Sequence, residues 1–155
     1  MSLNNSTETF LHKLERYCSY QDRCSRDVEQ KMAGWKIPQA SKEKMIKQLK
    51  DEGFIDDQRF TKSFVRGKFR VNKWGRNRIT YELKIRQLPG SMISEALKEI
   101  AEEEYLDTIR ALIMKKSGEI NPGKTLNKRE KIINFVVGKG FELDLVLRMI
   151  QETKI

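Results

Sequence analysis

The sequence predicts an all-α protein of about nine short helices, set in three tandem tri-helical repeats of helix-turn-helix type. Three observations carry this prediction. Apolar residues recur at spacings of three and four nearly throughout, no alternating apolar–polar run is long enough for a strand, and the apolar pattern repeats with a period near 50 residues.

The elements follow in order. Residues 8–18 carry Phe10, Leu14 and Tyr17 at helical spacing, and 26–34 carry Val28 and Met32 behind Ser25, a favourable N-cap. Residues 42–52 carry Met45, Ile46 and Leu49, and Gly53 stands where a left-handed C-cap belongs. Residues 57–72 and 76–87 form the next two helices, the second around Ile79 and Leu83. Pro89-Gly90 breaks the chain before Ser91 caps a helix with Ile93, Leu97 and Ile100. Tyr105, Ile109 and Leu112 continue the spacing, and Asn127 with Glu130 fits a capping box before Ile132, Phe135 and Val136. Gly140 stops that helix, and Leu143, Val146, Leu147 and Ile150 make the last.

The repeat is visible in the apolar positions. Val28, Ile79 and Ile132 correspond at intervals of 51 and 53, with Met32, Leu83 and Val136 four residues after each. Ile79 to Ile93 is 14 residues, as is Ile132 to Val146, and Phe54-Ile55-Asp56 recurs as Tyr105-Leu106-Asp107. The repeats are expected over roughly 6–53, 54–101 and 102–153. One unit alone buries too little apolar surface, so stacked neighbours are expected to share a core.

Composition narrows the function classes. No apolar run reaches the ~20 residues that cross a bilayer, and Met1–Phe10 lacks the apolar segment of a signal peptide, so the expected address is the cytoplasm, with no membrane partner. Cys18 and Cys24 fit no zinc spacing, His12 is the only histidine, and no metal or cofactor is expected. The net charge of +9 is local: Arg59 to Arg86 holds ten basic residues against Glu82, and the remaining 21 basic and 21 acidic residues cancel. Such a patch points to nucleic acid or to an acidic protein surface.

Asp56 and Asp57 precede that patch. Asp56 sits at an N-cap, Asp57 falls in the first turn, where negative charge suits the helix dipole, and Asp107 occupies the equivalent place one repeat later. No further ligand or base is spaced to join them, so the pair reads as capping and no catalytic residue is expected. On the helix over 57–72, Arg59, Lys62, Arg66, Arg70 and Lys73 fall within an arc of about 80°. That stripe, extended by Arg76 and Arg78, suits a phosphate backbone or a partner's carboxylates. Phe60, Phe64, Gly67 and Val71 form a neighbouring stripe assigned to the core, with Val65 and Phe69 on the other flank. Trp74 and Tyr81 are candidates for stacking on bases or for plugging a turn.

"GEINPGKT", Gly118–Thr125, matches the phosphate-binding loop of nucleotide hydrolases. The segment before it reads as a helix where the mechanism needs a buried strand, and Pro122 removes a backbone donor, so a surface linker is the expected role.

"SRDVEQKM" (25–32), "GFIDDQRFTKSFV" (53–65) and "GRNRITYEL" (75–83) together resemble the RecX family, cytoplasmic modulators of the RecA recombinase. The likeness rests on Gly53, Asp56, Asp57, Arg59 and Phe60, then on Gly75, Arg78, Ile79, Glu82 and Leu83. Arg86-Gln87-Leu88-Pro89 replaces the family's Lys-Gly-Ile turn. The resemblance implies a single RecX-like domain, elongated and gently curved, without enzymatic activity; nothing in the sequence suggests a coiled coil, and a monomer is expected. It implies binding in the groove of the RecA–single-stranded DNA filament, restraint of filament growth, ATP hydrolysis and strand exchange, and weak or indirect contact with DNA itself. The competing reading is a helix-turn-helix protein acting directly on DNA, which would use Arg76, Asn77 and Arg78 at a helix start.

Overall fold

The computed structural model describes residues 2–123 and 126–154, with side chains from Thr7 onward. The described residues contain nine α-helices and no strand: α1 (Ser2–Tyr20), α2 (Ser25–Met32), α3 (Gln39–Asp51), α4 (Asp57–Arg70), α5 (Arg76–Ile85), α6 (Gly90–Leu97), α7 (Glu102–Glu119), α8 (Lys128–Gly138) and α9 (Leu143–Thr153). Packing runs in triplets. Helices α1 and α2 lie on α3, α4 and α5 pack with α6, and α7, α8 and α9 pack on one another. Val28, Ile79 and Ile132 are all fully buried, so the period near 50 is a repeat of core positions.

The core is divided in two. Leu14, Cys18, Val28, Met32, Met45 and Leu49 of the first triplet form one cluster with Ile55 of the α3–α4 connection. A second, continuous cluster joins the other two triplets through residues such as Phe69, Ile79, Tyr105, Ile113, Val136 and Phe141. Core sharing therefore joins the second and third units, while the first keeps its own. Among the described buried residues, Cys24 of the α1–α2 connection is the one that enters the second cluster from the first unit.

Several local expectations change. Ser25 is the first residue of α2 and Cys24 is its N-cap, with Asp27 accepting from the Cys24 backbone N–H at 3.2 Å. Helix α7 begins at Glu102, so Asp107 is no cap; it lies within the helix and pairs with Arg110 at 2.6 Å. Three glutamates, Glu102 to Glu104, supply the first-turn negative charge instead. Asn127 precedes α8 at φ 61° without a side-chain cap bond, so the capping box does not form there. Gly53 does adopt the left-handed conformation, at φ 81°, and Phe54 N–H closes the α3 terminus onto Leu49 O at 2.8 Å. Gly118 lies inside α7, so no strand precedes the "GEINPGKT" segment; its Lys124 and Thr125 lie outside the described residues.

Helix α4 corrects the largest assignment. Thr61, Val65 and Phe69 face the core, whereas Val71 is 80% exposed and Phe64 is half-buried. Only Phe60 of the stripe assigned to the core is buried. Thr61 stays satisfied by donating to Asp57 O at 2.6 Å.

Candidate partner-binding face of the second unit

Asp56 performs the expected capping. Its Oδ1 accepts from the Arg59 backbone N–H at 3.0 Å. Asp57 does more than face the dipole. It accepts from Ser25 N–H and from Ser25 Oγ, both at 2.8 Å, and so ties the start of α4 to the start of α2. Both carboxylates are engaged in structure, and among the described residues no group of three or more His, Cys, Asp or Glu could hold a metal ion.

The basic stripe divides into committed and uncommitted cations. Arg59 pairs with Asp22 at 3.1 Å and donates to Gly53 O; Lys62 pairs with Glu99 at 3.3 Å; Arg70 pairs with Glu104 at 3.2 Å. Arg76 reaches Glu102 at 2.6 Å and Glu142 at 2.9 Å. The acidic segment from Glu99 to Glu104 thus neutralises much of the stripe from within. Arg66, Lys73 and Arg78 have no carboxylate partner among the described residues, and neither does Lys68, which the stripe omitted.

Lys68 and Arg78 instead sit on rings. Trp74 lies edge-on to Phe64 with centroids 6.4 Å apart. Lys68 Nζ is 4.8 Å and the Arg78 guanidinium 4.1 Å from the Trp74 centroid, and Arg86 lies 4.9 Å from that of Phe64. Trp74 is half-buried and closes the α4–α5 turn, while Tyr81 stays exposed on α5. The result is a carboxylate-poor face of cations and aromatic rings, the chemistry that holds phosphates, bases or acidic side chains. Cation–π contacts between elements leave no trace in residue spacing, which is why the stripe pattern missed Lys68 and Arg86.

The start of α5 is occupied. Gly75 N–H donates to Lys139 O at 2.8 Å and Asn77 N–H to Gly140 O at 3.0 Å. A Cβ on Gly75 would land in the backbone of Gly140 and Phe141, and one on Gly140, at φ 101°, would meet Arg78. Gly75 is therefore required by contact between two backbones. Ile79 and Leu83 carry the core behind this turn. Beside it the Tyr105 hydroxyl accepts from Arg76 N–H at 3.0 Å and donates to Glu142 in a very short bond. Burial, with that bond, raises the Tyr105 pKa above the usual phenol range. Burial opposes the charge of Arg76, but its bonds to Glu102 and Glu142 outweigh it and its pKa is raised.

Residues 56–97, from the cap of α4 to the end of α6, match the family model described as RecX, second three-helix domain. Proteins named "Regulatory protein RecX" are similar along most of the chain. That of Bacillus cytotoxicus is 28% identical over 138 residues, covering 89% of this chain and 51% of the relative; that of Oceanobacillus iheyensis is 27% identical, covering 88% and 50%. Along most of its length the chain is similar to RecX proteins, and its second three-helix unit matches the RecX family's own model. The crystal structure of RecX from Lactobacillus salivarius has the same fold, with a TM-score of 0.86 at 23% identity, covering 97% of this chain and 98% of that one. The chain spans about half the length of the curated RecX relatives it matches. The named family is one of regulatory proteins, and no helix among the described residues is long and apolar enough to cross a membrane.

Proposed function

We propose that this chain is a cytoplasmic, non-enzymatic regulator of a RecA-type recombinase in DNA repair and recombination, including the SOS response. It acts as a monomer on the filament that the recombinase forms on single-stranded DNA, restraining filament growth, ATP hydrolysis and strand exchange. One observation carries the reading. The segment matching the RecX model, residues 56–97, contains the stretch 59–86 that holds the whole net charge of +9. Uncommitted Arg66, Lys68, Lys73 and Arg78 supply the contact, and a filament offers both carboxylates and phosphates to meet them.

The helix-turn-helix reading is weaker. Base reading from a helix start needs that end to enter a groove, and the start of α5 is covered by the α8–α9 turn. The test is the ATPase rate of the cognate recombinase on single-stranded DNA as the protein is titrated in. Inhibition well below one protein per recombinase monomer is expected. No effect, with retention on DNA alone, transfers the function to direct DNA binding.

A further inference from the structure

Helix α4 carries an apolar edge that runs from the core out into an open groove. Phe60, Phe64, Gly67 and Val71 follow at spacings of 4, 3 and 4, the seam of a helix that packs on another helix. Phe60, at the start of the seam, belongs to the second unit's core with Thr61, Val65 and Phe69, and Phe64 packs half-buried against that core, while Val71 is exposed. Beyond the core the seam floors an open groove of about 490 Å³ between α4 and the α1–α2 connection.

Gly67 is the informative position. It lies inside α4, where glycine costs about 1 kcal/mol against alanine. Apart from its own stretch of helix, no described atom lies within 4 Å of the place its Cβ would take, so no packing among the described residues requires glycine there. A bare backbone on an exposed apolar ridge fits the close approach of a second backbone. The sides of the groove differ in charge. Lys68 lies 5.5 Å from the Phe64 centroid without a carboxylate partner among the described residues, while Arg86 pairs with Glu82 at 3.6 Å and keeps a buried Nε without a hydrogen bond. Asp22, paired with Arg59, stands with Arg23 and Asp27 on the side of the α1–α2 connection and the start of α2.

We propose that this groove docks a helix of a partner protein. The helix would carry small and apolar residues along the seam and acidic residues facing Lys68 and Arg86. A nucleic-acid strand fits less well, because the floor of the groove is apolar. The proposal rests on the filament reading and makes the partner helix one displayed by the recombinase.

The test uses Gly67→Leu and Gly67→Ala in the full chain. Both side chains enter open space and both favour the helix, so the melting temperature stays level or rises. Binding to the recombinase filament on single-stranded DNA is read alongside binding to a labelled oligonucleotide and the sedimentation of the protein alone. Wild type should bind best and Gly67→Ala less well. Gly67→Leu should lose at least about tenfold in filament affinity, as for a filled hot-spot pocket, with oligonucleotide binding and sedimentation unchanged. Wild-type filament affinity in a folded Gly67→Leu protein overturns the groove and leaves the filament reading standing. A loss confined to oligonucleotide binding makes the groove a nucleic-acid site, and a dimer that Gly67→Leu dissolves makes the occupant a second copy; either overturns the proposal. A wild-type protein that ignores the filament removes the reading and the groove's assignment together.

Discussion

Where the first triplet meets α4, the joint is a carboxylate accepting two bonds from Ser25 and an exposed Arg59–Asp22 pair, beside an open groove. Where the second triplet meets the third, it is two glycines at backbone contact, a buried Tyr105 ring 5.7 Å from Phe69 and 5.2 Å from Phe141, and Arg76 held between Glu102 and Glu142. Exposed polar contacts are worth little and can open locally. A shared apolar core opens only with the units it joins. The difference teaches that units drawn from one repeat pattern need not be coupled alike. The second and third form one body, and the first is attached by polar contacts, by the Cys24 side chain and by Ile55 of the α3–α4 connection, which enters the first unit's core.

The largest expected effect is at the tight joint. Gly75→Ala forces a Cβ into the Gly140–Phe141 backbone, which has no rotamer with which to yield, and should cost about 3 kcal/mol. The thermal midpoint should fall by several degrees, with α4–α9 melting as one transition. Separate transitions for α4–α6 and α7–α9 would show the two units to be independent. Next is Tyr105→Phe, which strands Arg76 N–H and Glu142 and should cost about 2 kcal/mol by denaturant unfolding. At the loose joint, Asp57→Ala should cost about 1 kcal/mol. Its signature is local: amide exchange should speed up in α1–α3 and at the start of α4 and leave α7–α9 unchanged. Equal acceleration in α7–α9 would mean that the first unit is as tightly coupled as the others.

The smallest effect is alkaline. Burial pushes the Cys24 thiol from 9.0 up to about 11. Between those values the folded state holds a proton that the unfolded state has lost. Stability contributed by the buried thiol is therefore complete below pH 9 and declines as pH rises toward 11. Cys24→Ala should flatten that part of the stability profile. The Cys24 and Cys18 thiols should also react with an aromatic disulfide reagent at neutral pH only as fast as the chain opens, since both are buried and both pKa values are raised.

The helices were legible because their apolar residues keep the period of 3.6 and their ends carry recognisable signals, such as Asp56 and Gly53. The capping role of Asp56 was readable from its neighbours alone. The bond from Ser25 to Asp57 was not, because 32 residues separate them. Helix α4 misled the reading because it has two apolar stripes, and spacing cannot say that Val65 and Phe69 turn inward with Phe60 while Val71 turns out. The basic stripe was visible as an arc, but the acids that neutralise Lys62, Arg70 and Arg76 stand on other elements. Asp107 was misplaced because α7 starts earlier than the repeat period implies.

The central claim is that the cations left over by this internal pairing are what the filament meets. The most direct measurement is recombinase ATPase inhibition by an Arg66→Glu, Lys73→Glu double variant. Neither residue has an internal carboxylate partner among those described, so the fold should be kept, with stability within about 0.5 kcal/mol of wild type. The account predicts a loss of about tenfold or more in inhibitory potency, greatest at low salt, where exposed charges act at longest range. A folded double variant that inhibits as well as wild type at every salt concentration would contradict it.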